Sequence, residues 1–287
     1  MKTLQIIFFS LLFAVNTLHA KNNEGLLWRI TSADGKHTSF LFGTIHVICP
    51  EDHFWTPSMQ VSFEKCNRIC FEMNIADPGL ITEASMQLMD FSGKTLRDYF
   101  HSDAAYDAVA AYIRDTLHQE LSIAERMKPI GLYFLYSTLS VSSPCKQDPV
   151  SYEMKLLESA QSKHIEVAGL ETLSEQLEAI STIPADSVIA LLTRVARGEK
   201  DDQQEMKSLI NAYKQQDLTL LQQMLNRNTK ESGFETGYLI DNRNKKWIAP
   251  MKQMMSDGNT FFAVGAGHLK GLISLLRKEG YQVIAVD

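Results

Sequence analysis

Two apolar runs in this chain end in the same way. Phe40-Leu41-Phe42 stops at Gly43, with His46 three residues later. Phe261-Phe262-Ala263-Val264 stops at Gly265, with Gly267 and then His268 following. An unbroken apolar run of this length is the pattern of a strand buried on both faces. Glycine lets the backbone turn where a Cβ would obstruct it. Each histidine therefore falls at the carboxyl end of a strand, where open α/β sheets place their ligand sites. A single Gly-x-x-His is a weak signal, since such a histidine is usually a hydrogen-bonded core or rim residue. Its repetition after two buried strands is what gives it weight, because two distant strands can bring two imidazoles to one cleft.

The remaining pattern supplies the scaffold. Apolar runs at 26–31 and 38–42 flank Asp34-Gly35, a hairpin signal. Trp55, Met59 and Phe63 have helical spacing, and residues 68–74 read as a strand in which Glu72 is the anomaly. An unpaired buried carboxylate costs several kcal/mol, roughly, or is forced to protonate, so Glu72 either faces solvent or meets a cation. Residues 79–142 read as helical, with 130–139 apolar on most faces as in a core helix. A loop at 144–149 leads to a helix at 151–162 and a strand at 164–170, which delivers Glu171 and Thr172 at its carboxyl end. Helices rich in Gln, Lys and Asp over about 184–240 read as a cap with a solvated face. A helix at 238–255 carries Asp241, Arg243, Asn244 and Trp247. The strand 260–264, a helix through 278 and a strand at 281–286 make a βαβ unit, expected to cross over right-handed. The class is α/β: a central mixed, largely parallel sheet built from two α/β halves, each with a Gly-x-x-His motif, and helices inserted between them. Residues 21–287 form one such domain.

Composition narrows the setting. Lys2, an apolar run over 4–15 broken only by Gln5 and Ser10, and Leu18-His19-Ala20 have the form of a secretory signal peptide. Cleavage near Ala20 would leave a periplasmic or secreted protein with no stable membrane anchor. A net charge of −6 and the absence of a basic run give no support to a nucleic-acid partner. Oligomeric state leaves no mark in the pattern. Four cysteines, Cys49, Cys66, Cys70 and Cys145, are an even number suited to an oxidising compartment. Of the three connectivities, one pairs Cys66 with Cys70 and leaves Cys49 with Cys145 as a long-range staple; buried free thiols are the other outcome. The cysteines lack the Cys-x-x-Cys spacing of a zinc site.

Two imidazoles and a carboxylate, here His46, His268 and Glu72, are a common ligand set for a catalytic divalent ion. At a helix start the dipole keeps His268 neutral and able to ligate. An ion so held would support hydrolysis of a peptide, ester or amide. Glu171 is then a candidate general base or orienter, and Arg243 could bind a carboxylate or stabilise an oxyanion. The same residues also permit metal-free chemistry, with histidine as general base. A serine nucleophile has no Gly-x-Ser-x-Gly elbow to sit on.

These residues resemble the motifs of the TraB/GumN family, within a wider group that includes TIKI metalloproteases and, more distantly, erythromycin esterase-like and ChaN-like proteins. The resemblance rests on Gly43-Thr44-Ile45-His46, Glu72, Gly169-Leu170-Glu171-Thr172 with Gln176, Arg243-Asn244 with Trp247, and Gly265-Ala266-Gly267-His268-Leu269-Lys270-Gly271. It runs from about residue 25 to the end and is nearest to the secreted bacterial branch. It implies His46, Glu72 and His268 at a divalent-metal centre, with manganese or cobalt fitting and zinc also admitted. Glu171, Arg243 and Asn244 would line the same cleft. Where family members often carry an aspartate in the preceding helix, this chain has Glu153.

The expected function is a metal-dependent hydrolase acting on peptides. The rivals are a metal-independent esterase or lactonase acting on a small ester, and a protein that captures a peptide or haem without turnover.

Overall fold

The apolar runs become strands of one sheet in a computed structural model that describes residues 25–32, 35–142, 145–199, 202–232 and 237–286. The strands are β1 (Leu27–Thr31), β2 (Thr38–Thr44), β3 (Arg68–Phe71), β4 (Glu166–Gly169), β5 (Thr260–Gly265) and β6 (Gln282–Ala285). Their order is β4-β3-β5-β2-β1-β6. β4, β3, β5 and β2 run parallel, and β1 is antiparallel to both β2 and β6. The two repeated phrases lie side by side: Gly43 pairs with Val264 and Thr44 with Gly265. The four parallel strands thus end along one edge, followed by His46, Glu72, Glu171 and His268.

Burial explains this order. Leu41, Phe42, Phe261, Phe262 and Val264 are fully buried, so β2 and β5 take the centre of the sheet and have no solvent face. Gly43 is required by close packing. A Cβ there would come within 2.5 Å of Leu269 Cδ1 and 3.1 Å of Ala266 Cα. Its carbonyl accepts a hydrogen bond from the Tyr213 hydroxyl at 2.9 Å, which ties the helix Asp202–Lys214 to the motif.

The β1–β2 hairpin forms between the two runs expected, with the strands parting at Thr31 and Thr38; Ala33 and Asp34 lie outside the described residues. Three expectations are corrected. β6 runs in the direction of β5 but is separated from it by β2 and β1, so the final strand–helix–strand segment is not an adjacent βαβ pair. The helices over 184–240 are not one cap. Val188, Ile189, Leu191, Leu192 and Val195 of the helix Ala185–Ala196 pack with Leu96, Phe100, Ile113, Leu132 and Tyr136 in a second apolar core. Ile210, Tyr213, Leu218 and Leu221 of the next two helices join the main core instead. The helix expected from 238 begins with a wider turn, Gly237–Asp241, and becomes α-helical over Asn242–Asp257.

The signal-peptide segment lies outside the described residues. Among those residues, no single helix is long and apolar enough to cross a membrane. Cys49 and Cys145 form a disulfide across a sequence separation of 96. Cys66 and Cys70 do not pair. Both are buried free thiols, one at the end of a helix and the other inside β3, and burial pushes their pKa values up to about 12 for Cys66 and further for Cys70. Unfolded, unreduced protein should therefore take up two equivalents of a thiol reagent, rising to four after reduction. Replacing both Cys49 and Cys145 by alanine should cost about 3 to 5 kcal/mol in denaturant titrations.

Candidate functional site

His268 ends a short turn, Ala266–His268, that follows β5. It is buried, 5 % exposed. Its Nδ1–H donates to Asn244 Oδ1 at 2.7 Å, and Asn244 Nδ2 donates back to the His268 carbonyl at 3.4 Å. Asn244 Oδ1 can only accept, so the proton resides on Nδ1 and the Nε2 lone pair faces the site. The Trp247 ring packs on the imidazole, with centroids 4.4 Å apart. Gly271 makes room for this clamp, because a Cβ there would lie 2.2 Å from Asn244 Nδ2. Burial pushes the His268 pKa down to about 4, with Arg243 and His46 adding to the effect against the pull of Glu72. The ring is neutral at neutral pH.

Glu72 is the first residue after β3, and the cation it needs is Arg243. Arg243 Nη2 donates to Glu72 Oε2 at 2.6 Å and to Glu171 Oε1 at 2.6 Å. Its Nε reaches both Glu171 oxygens, at 3.1 and 3.2 Å. Its Nη1 donates to the Leu239 carbonyl at 3.1 Å and faces His268 Nε2 at 3.3 Å. Trp247 Nε1 donates to Glu171 Oε2 at 3.0 Å. Both Glu171 oxygens are thus engaged, which suits holding Arg243 rather than taking a proton from water. Every Arg243 nitrogen is engaged as well, which suits balancing charge more than meeting an oxyanion. Glu72 keeps Oε1 for the backbone N–H of Gly265 at 2.8 Å, and Gln176 Nε2 approaches Oε2 at 3.4 Å. Burial alone would raise the Glu72 pKa, but His268, Arg243, His46 and the Gly265 amide outweigh it and bring it down to about 2. The carboxylate is ionised.

His46 lies at the mouth of the cleft, with its side chain 70 % exposed. Its Nδ1–H donates to Glu153 Oε1 at 2.8 Å. The same oxygen accepts from the Thr44 hydroxyl at 2.6 Å, and Oε2 accepts from Ser151 at 2.8 Å. Glu153 is thereby placed by Ser151, the N-cap of the helix Tyr152–Ser162. Desolvation opposes charge on His46, yet the Glu153 hydrogen bond and carboxylate, with Glu72 beyond, raise its pKa to about 9. Solvent at the mouth screens part of that attraction.

The three side chains expected at a metal converge on one small space beside Gly265. A Cβ built there would lie 3.2 Å from Glu72 Oε1, 3.8 Å from His46 Nε2 and 3.8 Å from His268 Cδ2. His268 Nε2 stands 3.7 Å from Glu72 Oε1. Two imidazole nitrogens and a carboxylate oxygen suit a divalent ion in donor type, and each imidazole is fixed through Nδ1, the usual outer-shell arrangement. The spacing is looser than that of a formed centre: among the described residues, no group of three or more His, Cys, Asp or Glu is close enough to hold a metal. Thr44 and Ser151, which hold Glu153, carried no signal of their own, although Ser151 could have been read as a helix cap two residues before a carboxylate.

The chain matches the TraB/PrgY/gumN family over residues 26–285. It is similar to metalloprotease TIKI2 of Danio rerio, 22 % identical over 319 residues that cover 92 % of this chain and 61 % of that protein. The chain thus spans less than two thirds of that relative's length, and no solved structure matches it. With the match running from β1 to the end of β6, the chain belongs to the TraB/PrgY/gumN family.

Proposed function

We propose that this protein is a metal-dependent hydrolase of peptides, acting in the periplasm or after secretion, as in the secreted bacterial branch of its family. What supports the reading is the convergence of His46, Glu72 and His268 beside Gly265, each imidazole turning Nε2 inward because Nδ1 is bound elsewhere. Similarity to a metalloprotease supports it from outside the structure, and the Cys49–Cys145 disulfide is compatible with an oxidising compartment. His46, Glu72 and His268 would hold a divalent ion such as manganese or cobalt. When bound, it would act as a Lewis acid toward the scissile carbonyl and toward water.

The chain's own residues set the conditions. Asn244 and Trp247 fix His268 in one tautomer and one plane. Arg243 offsets the charge of Glu72 and is itself held by Glu171. Glu153 fixes His46 at the edge of the cleft, where it can also meet substrate. A second reading draws on this last feature. His46 and Glu153 form a carboxylate–histidine pair on an exposed side chain, the arrangement of a general base that needs no metal.

The two readings part under chelation. On the first, purified protein carries a divalent metal by elemental analysis, chelator abolishes peptide cleavage and manganese restores it, and Glu72→Gln loses both metal and activity. Cleavage indifferent to chelator would select the general-base reading, and tight binding without product would select capture.

The histidines should also differ in stability. His46→Ala removes an exposed side chain and should shift unfolding by under about 0.5 kcal/mol. His268→Ala strands Asn244 and exposes one face of Trp247, which should cost about 1 to 3 kcal/mol; equal shifts would contradict the asymmetry. Gly271→Ala should displace Asn244 and lower metal affinity about 10- to 100-fold, leaving His46 and Glu72 in place.

A further inference from the structure

Beside the converging residues the fold leaves an open-topped cleft of about 520 Å³. Its surface is mainly apolar. Phe71 and Ile75 line it from either side of Glu72, Tyr133 and Phe134 from the helix Pro129–Ser142, and Ile180 and Ile183 from the other wall. Met73 and Met154 also line it, each the residue directly after a site carboxylate. The apolar wall therefore begins one residue away from Glu72 and from Glu153. Among the described residues that line the cleft, the acidic and histidine side chains are His46, Glu72 and Glu153, and there is no lysine or arginine.

The geometry points to this cleft as a specificity subsite for a bulky apolar side chain of a peptide substrate, such as Leu, Met or Phe, next to the bond presented to His46, Glu72 and His268. The inference rests on the hydrolase reading for its chemistry and extends it to a substrate class. Three features select this occupant. The volume lies in the range of small-ligand sites and exceeds what one side chain needs, leaving room for neighbouring backbone. The rim residues Phe134 and Met154 remain partly exposed, at 36 % and 47 %, so apolar surface is offered to an incoming group. An acidic side chain would meet two carboxylates, and the nearest cation in the described lining, His46, is already paired with Glu153, so its charge would be poorly compensated. A peptide can lay its backbone along an open rim, whereas a long acyl chain gains most from a closed tunnel, which this is not.

The test uses a series of quenched fluorescent peptides that differ at one position, carrying Leu, Phe, Asp or Lys, with the full mature chain and added manganese. Peptides with Leu or Phe should be cleaved about 10- to 100-fold more efficiently than those with Asp or Lys, the effect residing mainly in KM. Phe134→Arg and Ile183→Arg, both outside the converging residues, should erase that preference while the midpoint of thermal unfolding shows each variant folded. Calorimetric binding of the same peptides to His46→Ala protein separates the two levels of the argument. If nothing is cleaved under any metal but Leu peptides still bind about tenfold more tightly than Asp peptides, the hydrolase reading fails and the subsite stands. Equal affinity across the series, an unchanged preference in both folded arginine variants, or displacement of the Leu peptide by a fatty acyl ester at lower concentration would overturn the subsite.

Discussion

One guanidinium joins the ends of three parallel strands. Arg243 reaches Glu72 after β3, Glu171 after β4 and His268 after β5. Two carboxylate groups share its Nη2, an arrangement that a fixed positive charge between them makes tolerable inside a fold. Removing one partner of a buried ion pair costs about 3 to 5 kcal/mol, because the other charge is left without compensation. The pairing also fixes position. A planar fork bound to both oxygens of Glu171, and lying over the Trp247 ring at 4.8 Å, has little freedom to turn. The helix Asn242–Asp257 is thereby pinned to the sheet where Asn244 meets His268.

The two motif histidines come from matching sequence phrases and end in opposite electrostatic states. His268 is buried, bound to a neutral amide and faced by Arg243, so burial leads and the ring stays neutral. His46 is exposed and bound to a carboxylate, so its charged form is favoured despite desolvation. The difference comes from the partner of Nδ1 and from depth, neither of which the local phrase encodes. It gives the site a rigid half anchored in the core and an accessible half at the solvent edge.

Local pattern carried much of this fold and little of its wiring. Unbroken apolar runs marked β2 and β5 as central strands, and their terminal glycines put both histidines on one edge. Glu72 was legible as an anomaly in an apolar strand, a carboxylate that either faces solvent or meets a cation. Arg243 could not be named as that cation from periodicity, since it lies 171 residues away and arrives on another element. The position of β6 was misread because a strand–helix–strand segment fixes direction without saying how many strands are crossed. The helix Ala185–Ala196 and its successors share an amphipathic pattern, yet they serve different cores: periodicity reports that a face is buried and not against what. Cys66 and Cys70 show the same limit, since a spacing of four residues brings side chains close only if one helix contains both, and here a strand begins between them.

The division into two cores bears on how the site is built. The converging residues rest on the sheet and on helices packed against it, whereas one wall of the neighbouring cleft belongs to the helix Pro129–Ser142. That helix turns Leu132 and Tyr136 into the second core and Phe134 toward the cleft. The wall is therefore anchored to a body of helices with its own apolar interior, distinct from the one that holds His268 and Arg243. Close-packed interiors transmit small volume changes to their own neighbours first, so a substitution in the second core moves the wall before it disturbs the strand ends. The converging residues and this wall of the cleft are thus held by different interiors.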